Sequence, residues 1–202
     1  MNQIIKNTII LFVITLVAGI CLGTVHGVTL EPIAQAQEAA ATKTYQEVYP
    51  DAASFDEPQE LTDAVTAAAD SISEWGFGKV TINDAKEALD ASGNKIGYLI
   101  TSTSAESYGG NVQIAVGITN EGELTGIGFL SISDTPGLGM RAKEPDFKDQ
   151  FIGKKAETLE VTKTGASADN QIEAISGATI TSKAVTNATD AAIYFVANCL
   201  AQ

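Results

Sequence analysis

The chain has 202 residues, an apolar content of 45% and a formal net charge of −13 at pH 7. This length and apolar fraction are sufficient for one sizeable domain with its own core and some additional elements. The negative charge excludes nucleic acid as an expected partner, because its phosphates would repel the chain, and it argues against docking of a basic face on anionic lipid.

Two cysteines and one histidine limit the metal and catalytic chemistry that the chain can perform. Cys21 lies in an apolar N-terminal run and Cys199 near the other end, so we do not expect a disulfide between them. The bulky Ile20 disfavours lipid attachment at Cys21. There is no CxxC motif or Cys/His cluster, so no metal site is predicted. His26 borders the apolar run, which excludes a Ser-His-Asp apparatus in the rest of the chain.

The N-terminal run predicts a transmembrane anchor over residues 1–30. Residues 7–30 contain no charged side chain, and crossing a bilayer takes about 20 apolar residues. Lys6 precedes the run, Glu31 and Glu38 follow it, and Lys43 is the first basic residue on the far side. The positive-inside rule therefore predicts a cytoplasmic N-terminus and an extracytoplasmic domain. A cleaved signal peptide is the alternative, since the Ala-Gln-Ala sequence at 34–36 has the form of a cleavage site, although the run exceeds the usual apolar core of about 7–15 residues.

The segment after the anchor is predicted to be a stalk or linker over residues 31–60. It contains an Ala-rich stretch that could be helical up to Pro50, followed by a polar stretch at 54–58. We expect the folded domain to occupy residues 61–202. An Ala-rich helix is predicted to open this domain before Trp75 and Phe77, which either fill the core or line a ligand site.

The middle of the chain is predicted to be an antiparallel meander with one buried face. Residues 79–89 are compatible with a strand or a helix. Period-two alternation and intervening turns predict strands over 95–104, 112–118 and 124–132. A short helix at 145–151 and a long one over 182–200, with apolar residues at helical spacing, are expected to pack on the sheet. The predicted fold class is therefore α+β.

A hydroxyl-rich turn, Ser-Gly-Ala-Thr at 176–179, precedes the last predicted helix. The free N–H groups of a first helical turn and the helix dipole favour a phosphate at such a position. Gly177 permits close approach of the backbone to a ligand. A purely structural alternative is a helix cap in which Thr181 or Ser182 bonds the free amides.

Three motifs together resemble the FMN-binding domains of Rnf complexes and of Na⁺-translocating NADH:quinone reductases. They are Tyr-Gly-Gly at 108–110, Asp-Thr-Pro-Gly-Leu-Gly at 134–139 and Ser-Gly-Ala-Thr at 176–179, in the order of that family and behind a single membrane segment. Two positions differ from the pattern of the family: Asp134 stands where Glu is commoner, and Glu173 stands where Asp is usual. The charge is kept at both positions, while the reach of the side chain changes.

The resemblance implies that FMN is attached covalently, as a phosphate ester made from FAD by a separate flavin transferase. The attachment residue implied is Thr179, with Thr181 as the rival, and Leu138 is the expected apolar contact for the isoalloxazine ring. Thr181, two residues after the third motif, is also a predicted cofactor-binding residue. The remaining ones belong to the three motifs: Ser176, Gly177, Ala178, Tyr108, Gly109, Gly110, Thr135 and Gly137. No catalytic residue is predicted, because no suitable general base lies near Thr179 in the sequence, which fits an electron carrier whose cofactor supplies the chemistry.

The function implied by the resemblance is that of a G-type subunit of an Rnf-like complex, which couples electron transfer between ferredoxin and NAD⁺ to ion translocation. Other membrane subunits and, during maturation, the flavin transferase are the expected partners, and no turnover is expected from this chain alone. Two alternatives stay open. One is the C-type subunit of a Na⁺-translocating NADH:quinone reductase, which tends to be longer, and the other is a membrane-anchored ligand-binding module without redox work.

Overall fold

The computed structural model describes residues 2–155 and 157–200. The first residue of the predicted anchor and the last two of the predicted domain therefore lie outside the described residues. The chain forms two compact units, Met1–Thr42 and Lys43–Gln202. Residues 43–60, which the predicted stalk includes, belong to the second unit.

Helix α1, Gln3–Val48, has 46 residues and joins the predicted anchor to the predicted Ala-rich helix that follows it. The helix continues through Pro32. Among the described residues it is the one helix long and apolar enough to cross a membrane, judged by length and composition. Large apolar side chains from Ile4 to Ile33 are exposed along it, which is unfavourable in water.

The second unit is built on a five-stranded antiparallel sheet in which each strand pairs with the next one along the chain. The strands are β1 Ser54–Asp56, β2 Val80–Leu89, β3 Lys95–Ser107, β4 Gly110–Thr119 and β5 Leu124–Ile132. The predicted meander is confirmed, and the ambiguous segment at 79–89 is a strand. The pairing of β3 with β4 is irregular between Ser104 and Ser107, directly before the turn that joins the two strands.

Helices and a second, smaller sheet complete this unit. Short 3₁₀ helices lie at Ile72–Glu74, Gly139–Lys143 and Asp149–Phe151, and a π-helical turn lies at Val196–Leu200. The α-helices are α2 Gln59–Ala68, α3 Pro145–Lys148 and α4 Thr179–Phe195, and the parallel strand pair is β6 Glu160–Thr162 with β7 Gln171–Glu173. The last helix therefore begins at Thr179, within the hydroxyl-rich turn, rather than at Ser182 as predicted.

Helix α4 packs on one face of the five-stranded sheet through small side chains. The buried alanines of this helix are Ala184, Ala188, Ala191 and Ala192. Their size allows a close approach to β3, where the Ser102 hydroxyl donates a hydrogen bond of 2.9 Å to the Ala188 carbonyl oxygen. The packing agrees with the helical spacing of the apolar residues, and it fixes α4 on a rigid support.

The opposite face of the sheet is also partly covered, unlike the single buried face that the alternation predicts. Val48 and Tyr49 are buried against it. The Thr125 hydroxyl donates to the Val48 carbonyl oxygen at 2.7 Å, and the Tyr49 hydroxyl donates to the Ile96 carbonyl oxygen at 2.8 Å. Gly128 lies beneath Val48, where an added Cβ would meet the Val48 side chain. The glycine makes room for a side chain of the covering segment.

Trp75 and Phe77 pack against Tyr194 near the C-terminal end of α4, with ring centroids 4.7 Å and 5.9 Å from that of the tyrosine. Both rings are partly buried beside the main core. They also border a cavity of about 600 Å³. Trp75 and Phe77 therefore contribute to the core, as one sequence interpretation predicts, and they also border a cavity, as the ligand-site interpretation requires.

Asp190 is a buried carboxylate on α4. It is 4% exposed, and its Oδ1 accepts a hydrogen bond of 2.8 Å from the backbone N–H of Leu159. Burial raises the pKa of Asp190 to about 7, although the hydrogen bond from Leu159 acts in the opposite direction. The group is therefore near the midpoint of its titration at neutral pH.

We predict that Asp190→Asn flattens the dependence of folding stability on pH. Because the pKa of Asp190 is higher in the folded than in the unfolded chain, the folded state binds the proton more tightly. The contribution of this group therefore falls as pH rises from about 4 to about 7. At pH 8 the variant should be more stable than the wild type by about 1–4 kcal/mol. Denaturant unfolding of the full chain in detergent at pH 5 and pH 8 measures this difference.

The matched control is Asp63→Asn, which removes an exposed carboxylate of α2. Its pH profile should follow that of the wild type. Parallel pH profiles for the wild type and Asp190→Asn would contradict the prediction.

Candidate functional site

A cavity of about 460 Å³ brings together residues of all three sequence motifs. Its walls come from the turn between β3 and β4, the loop after β5 and the first turn of α4. The lining residues are Tyr108, Asp134, Thr135, Leu138, Gly139, Gly177, Ala178, Thr179, Ile180 and Thr181. Pockets for small molecules and cofactors have volumes of roughly 300–1,000 Å³, so the cavity has the size of such a site.

Most of the predicted binding residues line this cavity, and four do not. Ser176 instead borders a second cavity of about 230 Å³. Gly109, Gly110 and Gly137 shape the backbone of their turns. Gly110 and Gly137 have φ of 107° and 76°, values that favour glycine, and an added Cβ at Gly109 would meet the Ser133 carbonyl oxygen.

Thr179 is the first residue of α4 and is half-buried in the cavity wall. Its hydroxyl has no hydrogen-bond partner among the described residues. No side-chain hydrogen bond caps the helix at Ala178. The N–H groups of the first helical turn are therefore available to an anion, and the helix dipole adds to the attraction.

Thr181 and Ser182 use their hydroxyls differently from the helix cap that the sequence allowed. The Ser182 hydroxyl accepts a hydrogen bond of 3.0 Å from the Ile175 N–H, which precedes the helix, and donates one of 3.0 Å to the Ala178 carbonyl oxygen. Thr181 is 1% exposed, and its hydroxyl donates to Asp134 Oδ2 at 2.7 Å. Of the two candidate attachment residues, Thr181 is buried with a bonded hydroxyl and Thr179 is not.

Asp134 joins the three segments that form the cavity. Its Oδ2 accepts hydrogen bonds of 2.7 Å from the Ser107 hydroxyl and 2.7 Å from the Thr181 hydroxyl, and its Oδ1 accepts one of 2.9 Å from the Thr135 N–H. The backbone N–H of Gly109 is a further donor. One carboxylate thus links the end of β3, the loop after β5 and the first turn of α4.

The hydrogen bonds keep Asp134 ionised. Burial raises the pKa of Asp134, but the donors at Ser107, Thr181, Thr135 and Gly109 together outweigh it, so the net pKa lies below the ordinary value of an aspartate.

The sequence shows Asp134 only as the acidic start of a loop, and no general base of suitable type lies near Thr179 along the chain. The fold brings Asp134 into the same cavity as Thr179. An acidic residue two positions after the end of an apolar strand is the signal in the sequence that points to it.

The rim of the cavity is apolar and exposed. Among the described residues after α1, the exposed large apolar side chains are Tyr108, Leu138, Ile152 and Ile180. All of them except Ile152 line this cavity, and Tyr108 is 72% exposed. Exposed apolar groups gathered around a concave site mark a place where a ligand or partner binds.

The described residues hold no group of three or more His, Cys, Asp or Glu side chains that could bind a metal ion. The chemistry of the lining instead matches a flat organic cofactor with a phosphate tail. The apolar rim can contact a ring system, and the first turn of α4 can receive the phosphate.

Comparison with known proteins identifies the family. A family model described as the FMN-binding domain matches residues 107–194, which include every lining residue of the cavity. The chain is also 37% identical over 202 residues to the G subunit of the Na⁺-translocating ferredoxin:NAD⁺ oxidoreductase complex of Acetobacterium woodii, covering 96% of this chain and 92% of that protein. This chain belongs to the G-subunit family of ion-translocating oxidoreductase complexes.

Another member of the family is the G subunit of the ion-translocating oxidoreductase complex of Methanosarcina acetivorans. It is 30% identical over 196 residues, with 96% of this chain and 95% of that protein covered. A crystal structure of Shewanella oneidensis NqrC aligns with 58% of this chain and 61% of its own length, at 18% sequence identity and a TM-score of 0.48. The predicted family is confirmed by the two G subunits.

We predict that Gly139→Ala disrupts the cavity. A Cβ at this position would meet the carboxyl group of Asp134, which is held by hydrogen bonds from two other segments. The carboxylate must move away from its donors, and we expect a loss of about 1–3 kcal/mol in the free energy of unfolding. Denaturant unfolding of the full chain in detergent measures the loss.

Ser176→Ala is the matched control, since Ser176 is exposed and lies outside the cavity lining. It should unfold as the wild type does. Wild-type stability in Gly139→Ala would show that Asp134 does not need its observed position.

Proposed function

We propose that this chain is the flavin-carrying electron-transfer subunit of a membrane complex that couples ferredoxin:NAD⁺ electron transfer to ion translocation. Membership of the G-subunit family and the match of residues 107–194 to an FMN-binding domain support the proposal. The observation that carries it is Thr179, whose hydroxyl lies without a hydrogen-bond partner in the described part of the chain, at the start of a helix and in the wall of a cavity of cofactor size.

The proposal includes covalent attachment of FMN at Thr179 through its phosphate. The half-buried hydroxyl at the start of α4 is free to form an ester, whereas the hydroxyl of Thr181 is buried and donates to Asp134. In the attachment step, the pyrophosphate bond of FAD breaks, a phosphate ester forms at Thr179 Oγ1, AMP leaves and the hydroxyl proton passes to solvent. A separate flavin transferase catalyses this step.

The surrounding residues would hold the two ends of the cofactor in different ways. The N–H groups of the first turn of α4 would bind the phosphate oxygens, and Gly177, with φ of 80°, lets the preceding turn approach them. Tyr108, Leu138 and Ile180 would contact the isoalloxazine ring through apolar surface. The bound flavin supplies the ability to accept and release electrons, and the protein supplies position and electrostatics.

The cytoplasmic placement of the N-terminus and the extracytoplasmic placement of the flavin domain are part of the proposal. Helix α1 has the length and composition to cross a membrane. Lys6 lies directly before the uncharged stretch, while the first basic residue after it is the more distant Lys43, and this distribution of basic residues supports the orientation. The partners are then the other membrane subunits of an Rnf-type complex.

We predict that Thr179→Ala abolishes covalent flavin attachment. Removal of the hydroxyl removes the atom that forms the ester, so protein produced with the flavin transferase should lose the whole FMN adduct. Intact-mass spectrometry of denatured, desalted protein and in-gel flavin fluorescence measure the adduct.

Two variants serve as controls for this prediction. Thr179→Ser keeps a hydroxyl at the same position and should retain some adduct, and Thr181→Ala removes the rival hydroxyl and should retain it as well. An adduct that persists in Thr179→Ala and disappears in Thr181→Ala would move the attachment to Thr181. Wild-type protein without any flavin after maturation would favour a binding module without redox work.

The proposed orientation predicts which surface of the membrane an added cysteine reaches. Asp63→Cys, exposed on α2, should react with a membrane-impermeant maleimide in spheroplasts, and Asn2→Cys should react only after permeabilisation. The unaltered chain gives the background from its native Cys21 and Cys199. The reverse labelling pattern would place the flavin domain in the cytoplasm.

A further inference from the structure

We infer that the Asp134 carboxylate lowers the reduction potential of a flavin held in this cavity. The inference rests on the proposed function, because it requires FMN to be bound there. It assigns to Asp134 a second effect beyond joining the three segments of the cavity, namely an electrostatic one on the cofactor.

The position of Asp134 gives its charge access to the cavity. The residue is one of the lining residues although it is only 7% exposed, so its carboxylate is covered mainly by protein atoms. Its donors at Ser107 and Thr181 fix the carboxylate at 2.7 Å from each hydroxyl oxygen. A charge fixed at the wall of a cavity acts through a lower effective dielectric than one at the free surface.

The negative charge of Asp134 is not balanced by a cation. Its partners are hydroxyl and backbone N–H groups, and the cavity lining contains no Lys, Arg or His among the described residues. In the described part of the chain, the ion pairs involve other carboxylates. The hydrogen bonds hold the pKa of this carboxyl below its ordinary value in spite of burial, so the charge persists at neutral pH.

An uncompensated negative charge opposes reduction of a neighbouring flavin. In a one-electron reduction, the isoalloxazine ring would gain one negative charge with no bond formed or broken, and the electron would come from the electrode in the titration below or from another redox centre of the complex in the proposed function. Repulsion between this added charge and the carboxylate raises the energy of the reduced form relative to the oxidised form. The midpoint potential is therefore lower than it would be with a neutral residue at the same position.

Redox titration of the FMN-loaded full chain in detergent tests this inference. Asp134→Asn keeps the size of the side chain, and its amide can donate to the Ser107 and Thr181 hydroxyls, which also act as acceptors. Spectroelectrochemical titration at pH 7 should show a higher midpoint potential for this variant. We expect the equilibrium constant for one-electron reduction to increase about tenfold, which corresponds to a shift of about 59 mV.

Conservative and surface variants separate the charge from the shape of the site. Asp134→Glu keeps the charge and should retain a midpoint nearer to that of the wild type than to that of Asp134→Asn. Asp70→Asn removes an exposed carboxylate that lies outside the cavity lining and should leave the midpoint unchanged, because solvent and salt screen such a charge.

Ser107→Ala provides a second test that does not depend on loading of Asp134→Asn. It removes one hydrogen bond to the carboxylate while the charge stays, so less of the negative charge is neutralised by its donors. The midpoint should fall, which is the opposite direction from Asp134→Asn. A general loosening of the site would not shift the midpoint potential in opposite directions in Asp134→Asn and Ser107→Ala.

Mass spectrometry of each preparation before the titration shows whether FMN is attached. It thereby distinguishes failure of the proposed function from failure of the inference about Asp134. Wild-type protein without flavin after maturation overturns the proposed function. Flavin-loaded Asp134→Asn with the wild-type midpoint overturns the inference alone, as does an equal rise in Asp134→Glu. Should Asp134→Asn fail to load, an unchanged or higher midpoint in Ser107→Ala overturns the inference.

Discussion

The hydrogen bonds to one buried carboxylate determine the geometry of the whole site. Asp134 accepts from Ser107, which is 27 residues earlier in the chain, and from Thr181, which is 47 residues later. These bonds hold the end of β3, the loop after β5 and the start of α4 around one cavity. A buried carboxylate without donors would be costly, so all three segments must be in place together. The site is therefore complete only when the sheet and the last helix have packed.

The sequence predicted well those elements that carry a clear period. The strand at Leu124–Ile132 has the predicted bounds, because its alternation and its flanking turns are local features. The three-residue strand β1, Ser54–Asp56, is too short to show any period, and it lies in the segment expected to be a stalk. The cover provided by Val48 on the second face of the sheet depends on Gly128, a contact between distant segments that composition and spacing do not contain.

For the site as well, local motifs were predictable from the sequence and contacts between distant residues were not. The three motifs were recognised as a group by resemblance, and the structure brings Tyr108, Leu138 and Thr179 into one cavity wall. Resemblance alone did not distinguish residues that line the cavity from residues that shape a turn, such as Gly137 with its φ of 76°. It also did not give the link from Asp134 to Thr181, because a hydrogen bond between distant residues becomes visible only once the fold brings them together.

Helix α4 is a rigid support for the attachment residue, and this rigidity suits the proposed role of the site in electron transfer. The helix starts at Thr179 and is held to β3 by buried alanines and by the hydrogen bond from Ser102 to Ala188. A group attached to the first residue of such a helix has its tail fixed by the core, whereas the exposed Leu138 side chain contributes apolar contact at the rim. Electron carriers gain from a cofactor held in one position, since little of the site then needs to rearrange when charge arrives. The packing that stabilises the domain thereby also preorganises the cavity.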